Sequence, residues 1–317
     1  MGPSRRGRDR VRRAGDRLLA ARGHRFPHPN HPALHRGAGG ARRRERGDRF
    51  GPSPRRQGPP VTEAAEAPLP TPEGAPGEGR PAPAPAGPVL GVFAHPDDAE
   101  ISSGGTLARW AADGREVHLM VLTNGDRGSE DPALDRGELA RTRRVEVEAA
   151  SGVLGLASWR MLEIHDGELE NTAEVRAEIV RAIRELRPAV VLSCDPTAWF
   201  FGNRYFNHSD HRNAGATTLD AVFPGAGNPH FFSEQLTEGL SAWKVSEVWL
   251  GWTNEPNHHQ DITGFMELKL KALGEHRSQL EGGMLGFFEE WLPAEAEEDG
   301  KKIGVKHAEG FRVLNLE

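Results

Sequence analysis

An imidazole and three carboxylates lie within six residues, directly after a short apolar run. The run, Val89 to Ala94, has the pattern of a buried strand, and the next residues are His95-Pro96-Asp97-Asp98-Ala99-Glu100. Carboxylates this close repel each other, and a bound cation is the simplest way to keep them ionised beside a low-dielectric sheet edge. Alternatively, the acidic residues only cap the following helix, whose N-terminus favours negative charge. On this segment alone both interpretations stay open.

A second cluster, Asn207-His208-Ser209-Asp210-His211, stands at the expected start of a later helix. Histidines at positions i and i+3 of a first turn face the same side, so His208 and His211 can converge on one point. Such a pair alone is more often a surface feature. Two clusters that both follow strands are harder to explain by coincidence, and two histidines with one carboxylate form a ligand set of catalytic Zn(II) and Fe(II). Together the clusters predict a catalytic metal site.

Strand and helix patterns alternate between residues 89 and 280. The predicted strands are Val89–Ala94, Val117–Thr123, Trp159–Ile164, Ala189–Ser193 and Val245–Trp252. The predicted helices are Ser103–Asp113, Arg136–Leu154, Ala173–Leu186, Ser209–Val222 and Phe265–Leu280. This alternation indicates an α/β fold, a Rossmann-like, mostly parallel sheet with helices on both faces. Because ligands bind such sheets at the carboxyl ends of the strands, both clusters are expected at that edge.

The two clusters, AHPDDAE and the distant HSDHR, resemble the paired motifs of the LmbE-like (PIG-L-type) de-N-acetylases. The resemblance covers residues 89–280 and extends to four further segments: Gly104-Gly105-Thr106, Thr123-Asn124-Gly125-Asp126, Arg143 with Glu146, and His276-Arg277-Ser278-Gln279. The chain departs from the family pattern in two places. The family often has Glu where Ala99 stands and Pro where Ser209 stands, which leaves the role of Glu100 open.

The resemblance implies an LmbE-like deacetylase domain over residues 89–317 and a role for individual residues. The implied metal ligands are His95, Asp98 and His211, with Zn(II), or alternatively Fe(II), as the cofactor. Asp97 is then the general base, and a protonated His208 helps to stabilise the oxyanion. Asp210 is expected either to orient and charge His208 or to cap the helix. A metal with three protein ligands keeps a position for water and lowers the pKa of that water toward neutrality.

Other residues carry weaker signals. Arg143 is similar to a family position that contacts the sugar, although Arg141 and Arg144 beside it suggest a solvated helix face. Tyr205, three residues before His208, could gate the site or simply pack. The aromatic residues around it could form an apolar pocket wall, but core packing is their more frequent fate. Cys194 has no neighbouring base in the sequence, so a small buried residue is expected rather than a nucleophile.

Residues 1–88 differ sharply in composition from the rest of the chain. They contain 18 arginines, 8 acidic residues and 16 of the 24 prolines, which gives a formal charge of +10 against −16 for residues 89–317. Proline breaks helices, and so few apolar residues cannot offset the entropy of ordering. The composition therefore predicts a disordered Arg/Pro-rich tail and linker, with no specific nucleic-acid partner, and leaves open whether the tail is functional or even translated.

The combined interpretation is a zinc-dependent hydrolase that removes an acetyl group from an N-acetylglucosamine-type sugar derivative. A rival enzyme is an amidase that cleaves a larger conjugate, such as a thiol conjugate, with the same metal site. A catalytically silent binding protein is disfavoured, because it would not need Asp97 beside the ligands. With no apolar run of membrane-spanning length and one cysteine, we expect a cytoplasmic protein without a membrane partner. Its oligomeric state, including a homo-oligomer, is left open.

Overall fold

The computed structural model describes residues 84–203 and 205–316, and the predicted disordered tail falls outside them except for its last five residues. These five run along the domain: the guanidinium of Arg115 donates hydrogen bonds to the carbonyls of Pro85 (2.8 Å) and Gly87 (3.0 Å). Residues just before the predicted boundary at residue 89 therefore contact the domain that follows. Within the described residues, no helix has the length and apolar character needed to cross a membrane.

A seven-stranded sheet forms the centre of the domain, with the order β3-β2-β1-β4-β7-β9-β8. Its strands are β1 (Val89–Phe93), β2 (Val117–Thr123), β3 (Ser158–Ile164), β4 (Val190–Cys194), β7 (Glu247–Gly251), β8 (His258–Asp261) and β9 (Ala308–Asn315). The first five named are parallel to one another, and β9 pairs antiparallel with both β7 and β8. A short hairpin outside this sheet pairs β5 (Phe200–Phe201) with β6 (Tyr205–Phe206).

Seven α-helices of the described residues surround the sheet. They are α1 (Asp98–Ala112), α2 (Arg136–Leu154), α3 (Ala173–Leu186), α4 (Ser209–Asp220), α5 (Ser233–Thr237), α6 (Met266–Leu273) and α7 (Met284–Ile303). A π-helical segment, Ala221–Ala226, continues α4, and two 3₁₀ turns lie between α6 and α7.

Two apolar cores lie on opposite faces of the sheet. Side chains alternate across a strand, so Val89 and Phe93 of β1 pack with α1 and α2, whereas Leu90 and Val92 pack with α3 and α4. Every residue of β1, β2 and β4 is buried, as expected for parallel strands covered on both faces. The predicted Rossmann-like, mostly parallel sheet with helices on both faces is therefore confirmed.

The helix α4 lies unusually close to the end of β4. A Cβ atom added to Gly215 would stand 2.2 Å from the carbonyl oxygen of Cys194 and 3.0 Å from the backbone nitrogen of Pro196. Because the obstacles are backbone atoms, only glycine allows this approach. It brings the first turn of α4 beside the carboxyl edge of the sheet.

A buried ion pair fixes α1 from the other side. The Nζ atom of Lys269 on α6 lies 2.6 Å from Oε1 of Glu309 on β9, and both residues are buried. The same carboxylate accepts hydrogen bonds from the backbone N–H groups of Gly105 (3.0 Å) and Thr106 (2.8 Å) in α1. The helix that begins with Asp98 is thereby tied to the antiparallel end of the sheet.

Candidate active site

The two sequence clusters meet at the carboxyl edge of the sheet. His95 lies two residues after β1, Asp98 is the first residue of α1, and His211 lies in the first turn of α4. The chain thus brings together residues more than a hundred positions apart, because β1 and β4 are neighbours and both end at this edge. The two clusters meet at this edge as expected, but His208 and His211 fall into two different groups of close ligand atoms, which share only His95.

Three side-chain donor atoms form a close triangle. The distance from His95 Nδ1 to His211 Nε2 is 3.1 Å, and Asp98 oxygens lie 3.4 Å from His95 Nδ1 and 3.3 Å from His211 Nε2. Ligands of a tetrahedral Zn(II) ion, each about 2.0–2.1 Å from the metal, stand about 3.3 Å apart. Asp98 Oδ1 is buried and has no hydrogen-bond partner. These residues therefore fit a tetrahedral metal ion.

Electrostatics at this triangle also favours a cation. Burial raises the pKa of Asp98, but the adjacent His211 and His95 hold it well below its usual range, so the carboxylate is ionised. Burial lowers the pKa of His95, yet Asp98, Asp166 and Asp210 together raise it well above its usual value. The carboxylates that attract a proton to His95 attract a metal cation for the same reason.

Hydrogen bonds on the far side of each imidazole direct a lone pair toward the centre of the triangle. His95 Nε2 lies 3.2 Å from both Asp166 Oδ1 and Asp210 Oδ2. His211 Nδ1 lies 2.8 Å from Asn207 Oδ1, and the Asn207 amide is oriented by its own 3.0 Å hydrogen bond to the carbonyl of Ala198. Because these oxygens only accept, the outer nitrogens donate and the inner ones keep their lone pairs for a metal.

Replacing Asn207 with alanine is expected to weaken metal affinity about 10–100-fold, the usual effect of removing the partner that orients a ligating histidine. Zn(II) affinity measured by competition with a chelating dye tests this expectation. The matched control is Asn171→Ala, which removes an amide from the exposed contact with Asp220 and should leave affinity unchanged. Equal Zn(II) affinity in wild type and Asn207→Ala would show that the contact with Asn207 is not needed to orient His211 toward the metal.

Asp97 has an unusual backbone conformation. Its φ is 100°, in the left-handed region that residues with a side chain rarely adopt, and the residue is 4% exposed. It is the N-cap residue of α1 but makes no side-chain capping hydrogen bond. Strained, buried residues of this kind cluster at functional sites, since the strain persists only where the surrounding structure imposes it. The capping explanation for Asp97 therefore loses its support.

The surroundings of His208 favour a neutral ring, whereas the family resemblance implies a protonated donor. Burial first, and then the proximity of His95, lowers the pKa of His208 to about 4. Its Nδ1 accepts a 3.3 Å hydrogen bond from the backbone N–H of Asp210, as the N-cap of α4. The proton of the neutral ring is therefore on Nε2, which remains a hydrogen-bond donor.

Asp210 and Asp166 both direct their carboxylates at His95. The Oδ2 atom of Asp210 lies 3.2 Å from His95 Nε2 and accepts a 2.7 Å hydrogen bond from Gly167 N, and the Asp210 charge also acts to raise the pKa of His208, the partner expected from the sequence. Asp166 is absent from the sequence-predicted site. Burial raises the pKa of Asp166, but its hydrogen bond to His95 and the charges of His95 and Arg143 lower it to about 2. Asp166 stands two residues after β3, at the same sheet edge, and this position is the sequence feature that could have indicated its role.

The other family-like residues lie in a layer around the centre. Arg143 is 3% exposed, unlike the exposed Arg141, so a solvated face is not its environment. Its guanidinium fills the space beside Gly125, where an added Cβ would stand 2.0 Å from a guanidinium nitrogen. Glu146 accepts hydrogen bonds from the backbone N–H and the hydroxyl of Ser278, both 2.7 Å.

Glu100 and Cys194 also have defined surroundings. Glu100 Oε2 lies 3.3 Å from Nε2 of His276, and both residues are buried. Burial lowers the pKa of His276, but Glu100 and Asp97 raise it overall. Cys194 is buried, and burial together with Asp98 raises the pKa of its thiol well above the usual value, which suits a structural residue rather than a nucleophile.

Tyr205 is half-buried on β6, and its ring centroid lies 5.9 Å from that of Phe201. The neighbouring aromatic residues do not join the core as the sequence suggests. Trp199, Phe200 and Phe206 are 52%, 66% and 65% exposed.

Comparisons with known proteins show which proteins this chain resembles. Residues 90–222 match the family model described as PIG-L, GlcNAc-PI de-N-acetylase. The chain is 38% identical over 226 residues to diacetylchitobiose deacetylase of Thermococcus kodakarensis, a match that covers 71% of this chain and 82% of the relative. It is 30% identical over 245 residues to 1D-myo-inositol 2-acetamido-2-deoxy-alpha-D-glucopyranoside deacetylase of Rhodococcus erythropolis, with 61% and 81% covered.

A solved structure is similar over the same region. The N,N'-diacetylchitobiose deacetylase from Pyrococcus horikoshii, complexed with its inhibitor MPG, superposes with a TM-score of 0.67 at 36% identity, covering 72% of this chain and 83% of that chain. The resemblance in the sequence motifs, the shared fold and the relatives agree. This chain therefore belongs to the PIG-L (LmbE-like) de-N-acetylase family.

Proposed function

We propose that this protein is a metal-dependent deacetylase that hydrolyses the acetamide of an N-acetylglucosamine-type sugar to acetate and the free amine. The observation that carries the proposal is the triangle of His95, Asp98 and His211, whose donor atoms stand 3.1–3.4 Å apart beside the strained Asp97. Two of the relatives, deacetylases of diacetylchitobiose and of an acetamido-glucopyranoside, support the reaction and the class of sugar.

His95, Asp98 and His211 would hold the metal ion. Two imidazoles and one carboxylate suit Zn(II) best, although Fe(II) accepts the same set. When bound, such an ion supplies Lewis acidity, which makes water more acidic and a carbonyl more electrophilic. Asp210 and Asp166 are positioning residues, because their carboxylates hold the outer nitrogen of His95 at 3.2 Å.

Asp97 acts as the general base. It adjoins the ligand Asp98 in the chain without belonging to the triangle, so its carboxylate can accept a proton from the attacking water. As the tetrahedral intermediate collapses, the C–N bond breaks and Asp97 returns this proton to the leaving amine. The reaction consumes one water and leaves the residue in its starting ionised form.

His208 acts as a neutral hydrogen-bond donor to the developing oxyanion. Its Nδ1 is occupied by the backbone N–H of Asp210, so the Nε2–H group is available. A neutral imidazole is an effective electrophilic partner when burial keeps it unprotonated, because no proton needs to be lost before the next cycle. The ring centroids of His208 and His95 are 4.9 Å apart, which puts this donor beside the metal ligands.

Arg143 and Tyr205 are proposed to contact the sugar. A planar guanidinium matches a pair of vicinal hydroxyls, and Arg143 lies close enough to Asp166 to lower the pKa of that carboxyl. Tyr205 lies on the strand that leads to His208. The alternative enzyme, an amidase for a larger thiol conjugate, would use the same metal site and differ in these surrounding contacts. The cytoplasmic location, the absence of a nucleic-acid partner and a homo-oligomeric state stay predictions.

A substrate panel tests the proposed function. Purified full-length protein loaded with Zn(II) should release acetate from N,N'-diacetylchitobiose or an N-acetylglucosaminyl inositol, detected by an enzyme-coupled acetate assay. An N-acyl thiol conjugate without a sugar, assayed for free amine, should react far more slowly. Faster cleavage of that conjugate than of either sugar would favour the amidase, and zinc binding with no cleavage of any of the three would oppose the deacetylase.

A further inference from the structure

An exposed aromatic surface lies next to the candidate active site. We name residues 199–203 and 205–206 the aromatic hairpin; it contains β5 and β6. Three of its rings, those of Trp199, Phe200 and Phe206, are more than half exposed, whereas most large apolar side chains of the described residues lie in the cores. Exposed apolar groups this concentrated commonly mark a binding surface, because water contact with them is unfavourable.

The aromatic hairpin is held in a fixed position relative to the metal ligands. The N–H of Asn207 donates a 2.7 Å hydrogen bond to the carbonyl of Trp199, and its side-chain amide donates to the carbonyl of Ala198. The same Asn207 orients His211 through Oδ1. On the other side, Asn254 Nδ2 lies 3.1 Å from the carbonyl of Phe200. One residue thus anchors both the hairpin and a metal ligand.

The rings occupy two faces of the hairpin. Phe200 is paired directly with Phe206 and Phe201 with Tyr205, so each pair shares a face. The pair Phe201 and Tyr205 is half-buried, whereas Phe200 and Phe206 are both mostly exposed and present apolar surface to the solvent. The guanidinium of Arg212 lies 3.7 Å from the centroid of the Trp199 ring and restrains it.

The chemistry of this surface suits an uncharged ring. Residues 199–206 contain no acidic side chain, so the hairpin differs from the carboxylate-rich centre two residues away. The C–H face of a pyranose is flat and apolar, and it stacks on an aromatic ring of similar size while its hydroxyls stay in water. We propose that the aromatic hairpin binds the sugar ring adjacent to the one that is deacetylated, so that an oligosaccharide is preferred to a monosaccharide. This inference rests on the proposed function.

The test compares two substrates in one variant. In Phe200→Ala/Phe206→Ala, the ratio of kcat/KM for N,N'-diacetylchitobiose to kcat/KM for N-acetylglucosamine should fall about tenfold, the effect of losing the burial of large apolar side chains. The control is Phe223→Ala, whose ring is 76% exposed beyond the far end of α4 and should leave the ratio unchanged. An unchanged ratio in the double variant would overturn the proposal.

Two further measurements distinguish sugar binding from other causes of a changed kcat/KM ratio. Size-exclusion chromatography with light scattering should give the same mass for wild type and the double variant; a smaller assembly in the variant would show that the rings pack against a second copy of the chain, which also overturns the proposal. Calorimetry with N,N'-diacetylchitobiose and inactive Asp97→Asn should give an affinity that falls when the hairpin substitutions are added. If wild type released no acetate from either sugar, the proposed function would fail. Calorimetry alone would then show whether the aromatic hairpin binds the sugar.

Discussion

Replacing His211 with alanine is expected to abolish metal binding and acetate release together. His211 supplies one of three donor atoms, and its Nε2 lies 3.1 Å from His95 Nδ1 and 3.3 Å from Asp98. Two ligands hold a divalent ion far more weakly than three, because coordination has to replace most of the water bound by the ion. After gel filtration the variant should contain no metal, as measured by inductively coupled plasma mass spectrometry. Its turnover should fall about 10³-fold or more.

The matched control is His230→Ala. His230 is exposed, and it lies between the π-helical segment and α5, outside both sequence clusters. This variant should keep the metal content and turnover of wild type. Thermal unfolding of both variants shows whether the fold survives. Metal bound as tightly by His211→Ala as by wild type would mean that the ligands lie elsewhere.

The second large effect is expected for Asp97→Asn, which should keep the metal and lose turnover. General-base catalysis contributes about 10²–10⁴-fold, and the amide of asparagine cannot accept the proton. Asparagine has nearly the same shape as aspartate and tolerates positive φ better than most residues, so the backbone at φ 100° should be retained. Metal content and Zn(II) affinity should therefore match wild type while kcat falls.

The control for this substitution is Asp113→Asn at the end of α1. Asp113 is 60% exposed and makes only a 3.8 Å contact with Arg109, so its loss should not change kcat. If Asp97→Asn retained full turnover, the base would have to be another group. If it lost metal as well, Asp97 would act through Asp98 rather than on the water.

The sequence predicts the parallel half of the fold well because this half follows simple periodicities. The β2 residues Val117–Thr123 and the helices Arg136–Leu154 and Ala173–Leu186 have the predicted bounds. Continuous apolar strands and amphipathic helices with clear end signals leave little ambiguity. The adjacency of β1 and β4 then follows from the rules of parallel sheets, and it is enough to bring the two clusters together.

The remaining elements depend on contacts that a local pattern does not contain. The strand β9 includes the buried Glu309, which is tolerated only because Lys269 and the N–H groups of α1 satisfy it. The helix α7 contains Pro293 in its interior, against the usual preference. The predicted helix over 265–280 ends at Leu273, and α1 begins five residues earlier than predicted, which places Asp98 on a helix rather than in a loop.

Which side chains of the site contact one another also depends on the tertiary fold. The sequence places Asp210 next to His208, and the approach of α4 to β1 adds a second contact, between the Asp210 carboxylate and His95. Asp166 escapes prediction because a single acidic residue after a strand is common, and only the sheet order β3-β2-β1 brings it to the same histidine. The low pKa of His208 arises from burial, which one sequence does not encode locally.

The most direct test of the central claim is a metal titration of the wild-type protein. The protein is stripped with a chelator, Zn(II) is added back in steps, and bound metal and the rate of acetate release from N,N'-diacetylchitobiose are measured in the same samples. The three-ligand site predicts that activity is absent without metal, rises in proportion to bound metal and reaches its maximum at about one ion per chain. Full acetate release by the stripped protein, or one tightly bound ion with no acetate release from this or any other N-acetylated sugar, would contradict the account.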